Sequence, residues 1–374
     1  MLLKNSIKRL MCTRYPRFIF GFQLQQGEIP AFIYHDVDEQ TFETDLTFLR
    51  DNGYRTLTTE EFVKYNYNVC DNKSVLLTFD DARKNFFKVT FPLLRKFNTR
   101  ATLFVPTYWI GGRKGPLKAQ EDVRPRDDMF MTWDELRTCV RSGLVDVQLH
   151  AHRHALVYTS DRLVGFASPK LLAQHHIYDW PMRQNGHNEM LGLPPLGTPI
   201  YEAMPLLSAP SRLLEDMTVV RACQDVVDLE GGEGFFTKRD WTIQLRRVHQ
   251  DTARRVAHPK LMAESEFQSL VASEFQLSQQ LFETELGVFP RYFAYPWMLG
   301  SMFSLKLAAE RGIDAVFGVG LDFRRARRLN GPVPAFGRIK GEWLRFLPGV
   351  GRLRLRDVLP EKLRGFLRSQ HLAH

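Results

Sequence analysis

The chain of 374 residues has only four cysteines, Cys12, Cys70, Cys139 and Cys223. Their scattered positions match neither a disulfide framework nor a cysteine-based metal site, and they fit a reducing compartment better than a secreted scaffold. Long apolar runs are also missing: no stretch approaches the ~20 residues of a membrane-spanning helix. The N-terminus, MLLKNSIKRLMCTRYPRFIFGF, does not supply the unbroken apolar core of roughly 7–15 residues that a secretory signal needs. Lys4, Lys8, Arg9 and Arg14 interrupt each candidate run, so the expected setting is cytoplasmic. Internal repeats and low-complexity tracts are absent. The basic excess is confined to the ends. The whole chain carries a net charge of +9, but residues 321–374 alone carry +9 and residues 1–20 carry +5, leaving a body of −5. With no recognised nucleic-acid motif beside that charge, nucleic acid is not an expected partner.

What is present is an ordinary globular balance, 44% hydrophobic and 25% charged, sufficient for one large α/β domain or two smaller ones. IPAFIYHDV (Ile29–Val37), SVLLTFDD (from Ser74), RATLFVPTYWI (Arg100–Ile110) and VDVQLHAHRH (from Val145) read as strands. Between them lie helical patterns over Gln40–Tyr54, Val89–Asn98 and Thr132–Leu144. In the last of these, Thr132 and Glu135 form the two ends of a capping box. Such alternation predicts βα units around a parallel sheet or barrel, with chemistry at the carboxyl ends of the strands. From about residue 155 to 245 the pattern weakens in Pro- and Gly-rich sequence, which predicts a long cap-like insertion. Alternation then resumes with a helix over Glu264–Gly287 and strands at Arg291–Pro296 and Asp314–Gly320.

Two stretches carry chemistry. The strand from Ser74 ends on a vicinal acid pair, Asp80 and Asp81. About seventy residues later LHAHRHAL offers His150, His152 and His154. A catalytic divalent metal takes three protein ligands and keeps a position open. Two imidazoles and one carboxylate meet that need, and the second carboxylate is then free to act as a base. Solvated strand ends are the plain alternative for either stretch alone. Their joint occurrence at two strand ends argues against it.

LLTFDDARKNF followed by FPLLRKFNTRATLFV resembles the first block of the polysaccharide deacetylase family (NodB homology, carbohydrate esterase family 4). MTWDELRTCVRSGLVDVQLHAHRH resembles its second block and FAYPWMLGS its third, with IPAFIYHDV similar to its entry strand and GIDAVFGVG and VPAFGRI to its last strands. The resemblance covers roughly Glu28–Lys340 apart from the insertion. It implies a distorted (β/α) barrel of about seven parallel strands. It further implies metal-dependent hydrolysis of an acetyl group, usually N-acetyl, on a sugar. One divalent ion, Zn²⁺, would be held by Asp81, His150 and His154, with Asp80 as general base and the backbone N–H of Trp297 as oxyanion donor. Three departures stand out. The third block has Ala294 or Tyr295 where the family often has an arginine, a role that Arg338, or else Arg291, would take. No general-acid histidine is evident after Trp297, which leaves His35, His249 and His258. His152 replaces an uncharged residue and is expected to face solvent.

The expected organisation is a basic N-terminal extension over residues 1–27, a deacetylase barrel over 28–340 and a basic tail over 341–374. The expected substrate is an acetylated sugar, nucleotide sugar or lipid-linked glycan of surface-polysaccharide or lipopolysaccharide assembly. In the insertion, Tyr178 and Trp180 are available to stack on a sugar face, whereas His175 and His176 are a weak suggestion of a second metal site. Arginines interleaved with Trp343, Phe346 and Phe366 in the tail, backed by Leu2, Leu3, Ile7 and Phe18, suit an anionic membrane surface. That would place the protein peripherally on the inner face; the plain alternative is that both ends pack on the barrel and leave their charges in water. The competing class is a non-catalytic sugar-binding module, prompted by the missing third-block arginine and the unplaced acid.

Overall fold

The computed structural model describes residues 16–65, 73–112, 129–185, 188–256, 260–318 and 332–355. All six residues of the strand Ser74–Phe79 are buried. That continuous pattern belongs to parallel strands covered on both faces. The sheet runs in the order Ala335–Phe336, Ala315–Phe317, Tyr292–Ala294, Val145–Leu149, Ala101–Val105, Ser74–Phe79, Ala31–Tyr34, Ile339–Lys340, with every neighbouring pair parallel. The short strand Arg55–Thr56 adds to Ser74–Phe79 from outside this path. The path thus holds eight strands, close to the expected seven or so.

The two strands at opposite ends of that order, Ala335–Phe336 and Ile339–Lys340, are separated in the chain by Gly337 and Arg338 alone. Three Cα steps reach at most about 11 Å, so the sheet has to curl until its ends almost meet. This is the distorted barrel, open at one seam among the described residues.

Helices cover the outside. Glu39–Asp51 starts on Asp38, whose carboxylate accepts from the Thr41 N–H, and buries Phe42, Leu46 and Leu49. Trp133–Arg141 begins with the capping box of Thr132 and Glu135. Glu264–Leu286 lays Phe267, Val271, Phe275 and Phe282 on the barrel and ends where Gly287 turns left-handed. Over Val89–Asn98 the helix is less regular than its sequence suggests. A π turn at Phe86–Thr90 precedes the α-helix Phe91–Phe97, where Pro92 has no N–H to continue the ladder.

The insertion is more ordered than its composition predicts. Leu156–Phe166 pairs antiparallel with Pro199–Pro205, and the helices Met217–Leu229 and Trp241–Ala253 close a small core of Phe166, Cys223, Val227, Phe235 and Leu245. Regular structure runs past Leu245 to Lys260–Leu261, which pairs with Leu213–Leu214. Glycine here marks close approach rather than looseness. A Cβ on Gly197 would sit 2.9 Å from the Cys223 carbonyl oxygen.

Both described ends fold back on the barrel. Phe18, Ile19 and Leu24 share the main core with Leu344, Phe346 and Leu347. The Arg352 guanidinium ties the two together by donating to the carbonyls of Phe18, Gly21, Phe22 and Phe346. Phe18 and Phe346 are therefore core residues and do not face lipid, because the barrel buries them. Trp343 is half-buried against the same core; residues 1–15 and 356–374, with the other residues of the membrane expectation, lie outside the described residues, as do Cys12 and Cys70. No described helix is long and apolar enough to cross a membrane.

Candidate active site

Along a regular strand adjacent side chains point to opposite faces, so a vicinal acid pair does not ordinarily converge. Here Asp81 takes φ 75° and Ala82 φ 48°. That left-handed kink breaks the alternation, and Asp80 and Asp81 line the same cavity. The loop after Val145–Leu149 does the same for the histidines, with Ala151 at φ 63° and His154 at φ 49°. After Pro296, Trp297 and Met298 are left-handed as well. Of seven such non-glycine residues among those described, all but the helix cap Asn98 lie in these three loops. Backbone strain of this kind concentrates at functional sites.

Nε2 of His150 lies 3.6 Å and Nε2 of His154 lies 3.5 Å from Oδ1 of Asp81. That oxygen is buried and has no hydrogen-bond partner. The Nδ1–H of His150 donates to the Ala294 carbonyl at 2.8 Å, which orients the ring with Nε2 toward Asp81; burial acts to lower the imidazole, but Asp80 and Asp81 raise it, so a bound cation would displace the Nε2 proton. Burial pushes His154 down to about 3, so it is a neutral imidazole at neutral pH. Burial would raise the Asp81 carboxyl, but the histidines beside it, His150 foremost, hold it well below the usual range. A buried carboxylate oxygen facing two imidazole nitrogens, all within 4.8 Å of one another, is a donor set of metal-ligand type. It fits one divalent cation. Among the described residues no other group of three His, Cys, Asp or Glu side chains is so placed.

Beside it, Arg338 grips Asp80 with both terminal nitrogens, at 2.6 and 2.7 Å. Burial acts to raise the Asp80 carboxyl, yet the Arg338 charge and then that of His150 bring it below its ordinary value. Asp80 is thus an ionised acceptor next to the cation site. Arg291 is elsewhere, paired with Asp314 at 2.5 Å at the opposite end of its strand. Trp297, at φ 51° and ψ 17°, packs its ring at a tilt of 50° with its centroid 4.2 Å from that of His154.

The cavity, of about 280 Å³, brings together Asp80, Asp81, His150, His154, Trp297 and also His35. His249 is not part of it; it bonds Tyr201 and lines a separate cavity in the insertion. His258 lies outside the described residues. Two expectations are corrected. His152 is buried rather than solvent-exposed, because its Nδ1 pairs with the Thr107 hydroxyl at 2.8 Å beneath the loop. Tyr178 and Trp180 do not present open faces to a sugar: both are buried, and the Tyr178 hydroxyl bonds Asp81. His176 lines the cavity without a second cluster forming around it among the described residues.

One further residue was not singled out by its sequence. Glu274, on Glu264–Leu286, accepts from the backbone N–H groups of His152 and Arg153 at 3.0 and 2.8 Å and pairs with the Arg153 guanidinium. It pins the loop between the two histidines. Its sequence signal is an acid inside the stripe of Phe267, Val271, Phe275 and Ser278, all buried.

Residues 68–179 match the family model described as Polysaccharide deacetylase. A poly-beta-1,6-N-acetyl-D-glucosamine N-deacetylase of Staphylococcus epidermidis is 29% identical over 124 residues, which is 33% of this chain and 39% of that protein. The chain spans between a third and two fifths of the length of the curated relatives it matches. A solved de-N-acetylase from Aggregatibacter actinomycetemcomitans superposes with a TM-score of 0.50 at 16% identity, over 83% of this chain and 94% of that one. The BpsB deacetylase domain from Bordetella bronchiseptica gives 0.50 at 18%, over 85% and 98%. At these identities the two structures speak to the shared fold.

Proposed function

We propose, on the premise that the chain belongs to the polysaccharide deacetylase family, that it is a metal-dependent hydrolase that removes N-acetyl groups from an amino-sugar polymer. The observation that carries this reading is the orphaned Asp81 Oδ1 between two imidazole nitrogens, one residue from the Asp80–Arg338 pair. Asp81, His150 and His154 would hold the ion. When bound, a divalent ion makes water nucleophilic near neutral pH and polarises the acetyl carbonyl.

The chain's own groups do the rest. Asp80 accepts the proton of the attacking water, a role typically worth about 10²–10⁴-fold. Arg338 keeps that carboxylate ionised and fixes its plane. We assign the Trp297 backbone N–H as donor to the developing oxyanion. As the carbon–nitrogen bond breaks, the departing amine takes a proton, and His35 is the histidine of the three candidates that lines the cavity. Acetate and a free amino sugar result. The sugar-binding-module reading rested on a missing arginine and an unplaced acid; the Arg338–Asp80 pair and the presence of His35 in the cavity favour the enzyme reading over it.

The relatives' names make β-1,6-linked N-acetylglucosamine oligomers the first substrate to test. Acetate release is measured from these, from β-1,4-linked oligomers and from a nucleotide-linked N-acetylglucosamine. Release from the β-1,6 oligomers, abolished by a chelator and by Asp80→Asn, is expected. A metal-loaded protein that frees acetate from none of the three would overturn the reading.

A further inference from the structure

Tyr178 comes from the insertion, on the short turn Ile177–Asp179, yet it touches a metal ligand. Its hydroxyl donates to Asp81 Oδ2 at 2.7 Å and accepts from the Arg83 guanidinium. Arg83 also reaches Oδ2 directly, at 3.2 Å, and is itself held by Asp36 at 2.7 Å. The Tyr178 ring packs against Trp109, Phe130 and the ring of His154. The phenol is therefore fixed from several sides and is only 6% exposed.

A carboxylate can grip a cation through one oxygen or both. In Asp81 the two are not equivalent. Oδ2 is taken by Tyr178 and Arg83, while Oδ1 alone faces the imidazole nitrogens and has no other partner. We propose that Tyr178 is a positioning residue that makes Asp81 a one-oxygen ligand, so that the insertion completes the metal centre that the barrel begins. A one-oxygen ligand leaves a coordination position free for water and substrate. This inference rests on the reading that Asp81, His150 and His154 hold a divalent ion.

Tyr178→Phe keeps the ring contacts and deletes only the hydroxyl. Zn²⁺ affinity is read by chelator competition, and the visible spectrum of the Co²⁺-loaded protein reports the coordination. The expected result is Zn²⁺ binding weakened about 10–100-fold, as for other groups that orient metal ligands. An altered Co²⁺ spectrum and an unchanged melting temperature of the metal-free protein should accompany it. Wild-type affinity with an unaltered spectrum overturns the proposal, and so does an affinity loss matched by a lower melting temperature of the metal-free form. Asp81→Ala separates the two levels. If it abolishes Zn²⁺ binding while Tyr178→Phe changes nothing, the positioning role alone falls. If Asp81→Ala still binds Zn²⁺ as wild type does, the site reading falls with it.

Discussion

Arg338 and Asp80 are 258 residues apart in the chain and are joined by two buried hydrogen bonds. Arg338 sits on the two-residue connection between the sheet's end strands, so the seam of the barrel delivers the counter-ion of the proposed base. Asp80 follows Ser74–Phe79, which Ala31–Tyr34 alone separates from Ile339–Lys340. The arginine therefore reaches across one strand to the carboxylate.

Removing Arg338 strands a buried carboxylate, which typically costs about 3–5 kcal/mol. Arg338→Met should lose stability on that scale, and adding Asp80→Asn should restore part of it. Urea denaturation of the two single variants and the double variant gives the coupling. A coupling within about 0.5 kcal/mol of zero, the usual noise of additivity, would show that the pair is not mutually dependent. With its cation gone, the Asp80 carboxyl rises. The acid limb of the kcat/KM profile, where the base must be ionised, then moves to higher pH in Arg338→Met.

Glu274 holds the histidine loop by its backbone. Glu274→Ala orphans the buried N–H groups of His152 and Arg153, each costing roughly 1–3 kcal/mol. Hydrogen exchange is the direct probe. The His152 and Arg153 amides should lose protection in the variant while the strand Val145–Leu149 keeps its own. Unchanged exchange at both amides would remove Glu274 from this role.

The barrel was legible because its strands and helices obey local periodicities, and the candidate metal-binding residues because strand-end motifs carry them. The Thr132–Glu135 cap and the Gly287 stop are likewise local signals. What was not legible depends on chain segments meeting from afar. His152 looks solvent-facing until the Thr107 hydroxyl closes over it. Tyr178 looks like a stacking platform until the insertion folds it onto Asp81. The glycines and prolines of the insertion look like loop residues, because nothing in their sequence says that Gly197 lies against a helix. Trp343, Phe346 and Leu347 have no helical or strand period, and only the barrel's outer surface gives them a place.

Gly341 offers a steric test of that last contact. A Cβ there would lie 2.0 Å from the Tyr34 ring, which is stacked on Phe79 at 5.1 Å and edge-on to Phe42 at 5.4 Å. The ring cannot easily retreat. Gly341→Ala should cost about 1–3 kcal/mol, the usual range for overpacking, with a matching drop in melting temperature. A variant as stable as wild type would show that the turn Gly341–Phe346 is free to lift off.

Asp45 makes the same region pH-sensitive. It lies beneath that turn, with Arg345 Nε 3.1 Å from Oδ1 and the Tyr34 hydroxyl 3.4 Å from Oδ2. Burial pushes its carboxyl up from 3.8 to about 7, with the Arg345 charge and the Tyr34 hydroxyl offsetting only part of the rise. Between those two values the folded chain keeps a proton that the unfolded chain has released. Stability therefore falls as pH climbs from about 4 to about 7 and levels off above. At about 1.4 kcal/mol per pH unit, the loss is at most about 4 kcal/mol. Asp45→Asn cannot ionise and should flatten this part of the profile, gaining on wild type at pH 8 relative to pH 5. Urea denaturation at both pH values, with chelator present to exclude metal-linked protons, measures the difference. If wild type and Asp45→Asn lose the same stability between pH 5 and pH 8, the buried carboxyl is not what makes this turn pH-dependent.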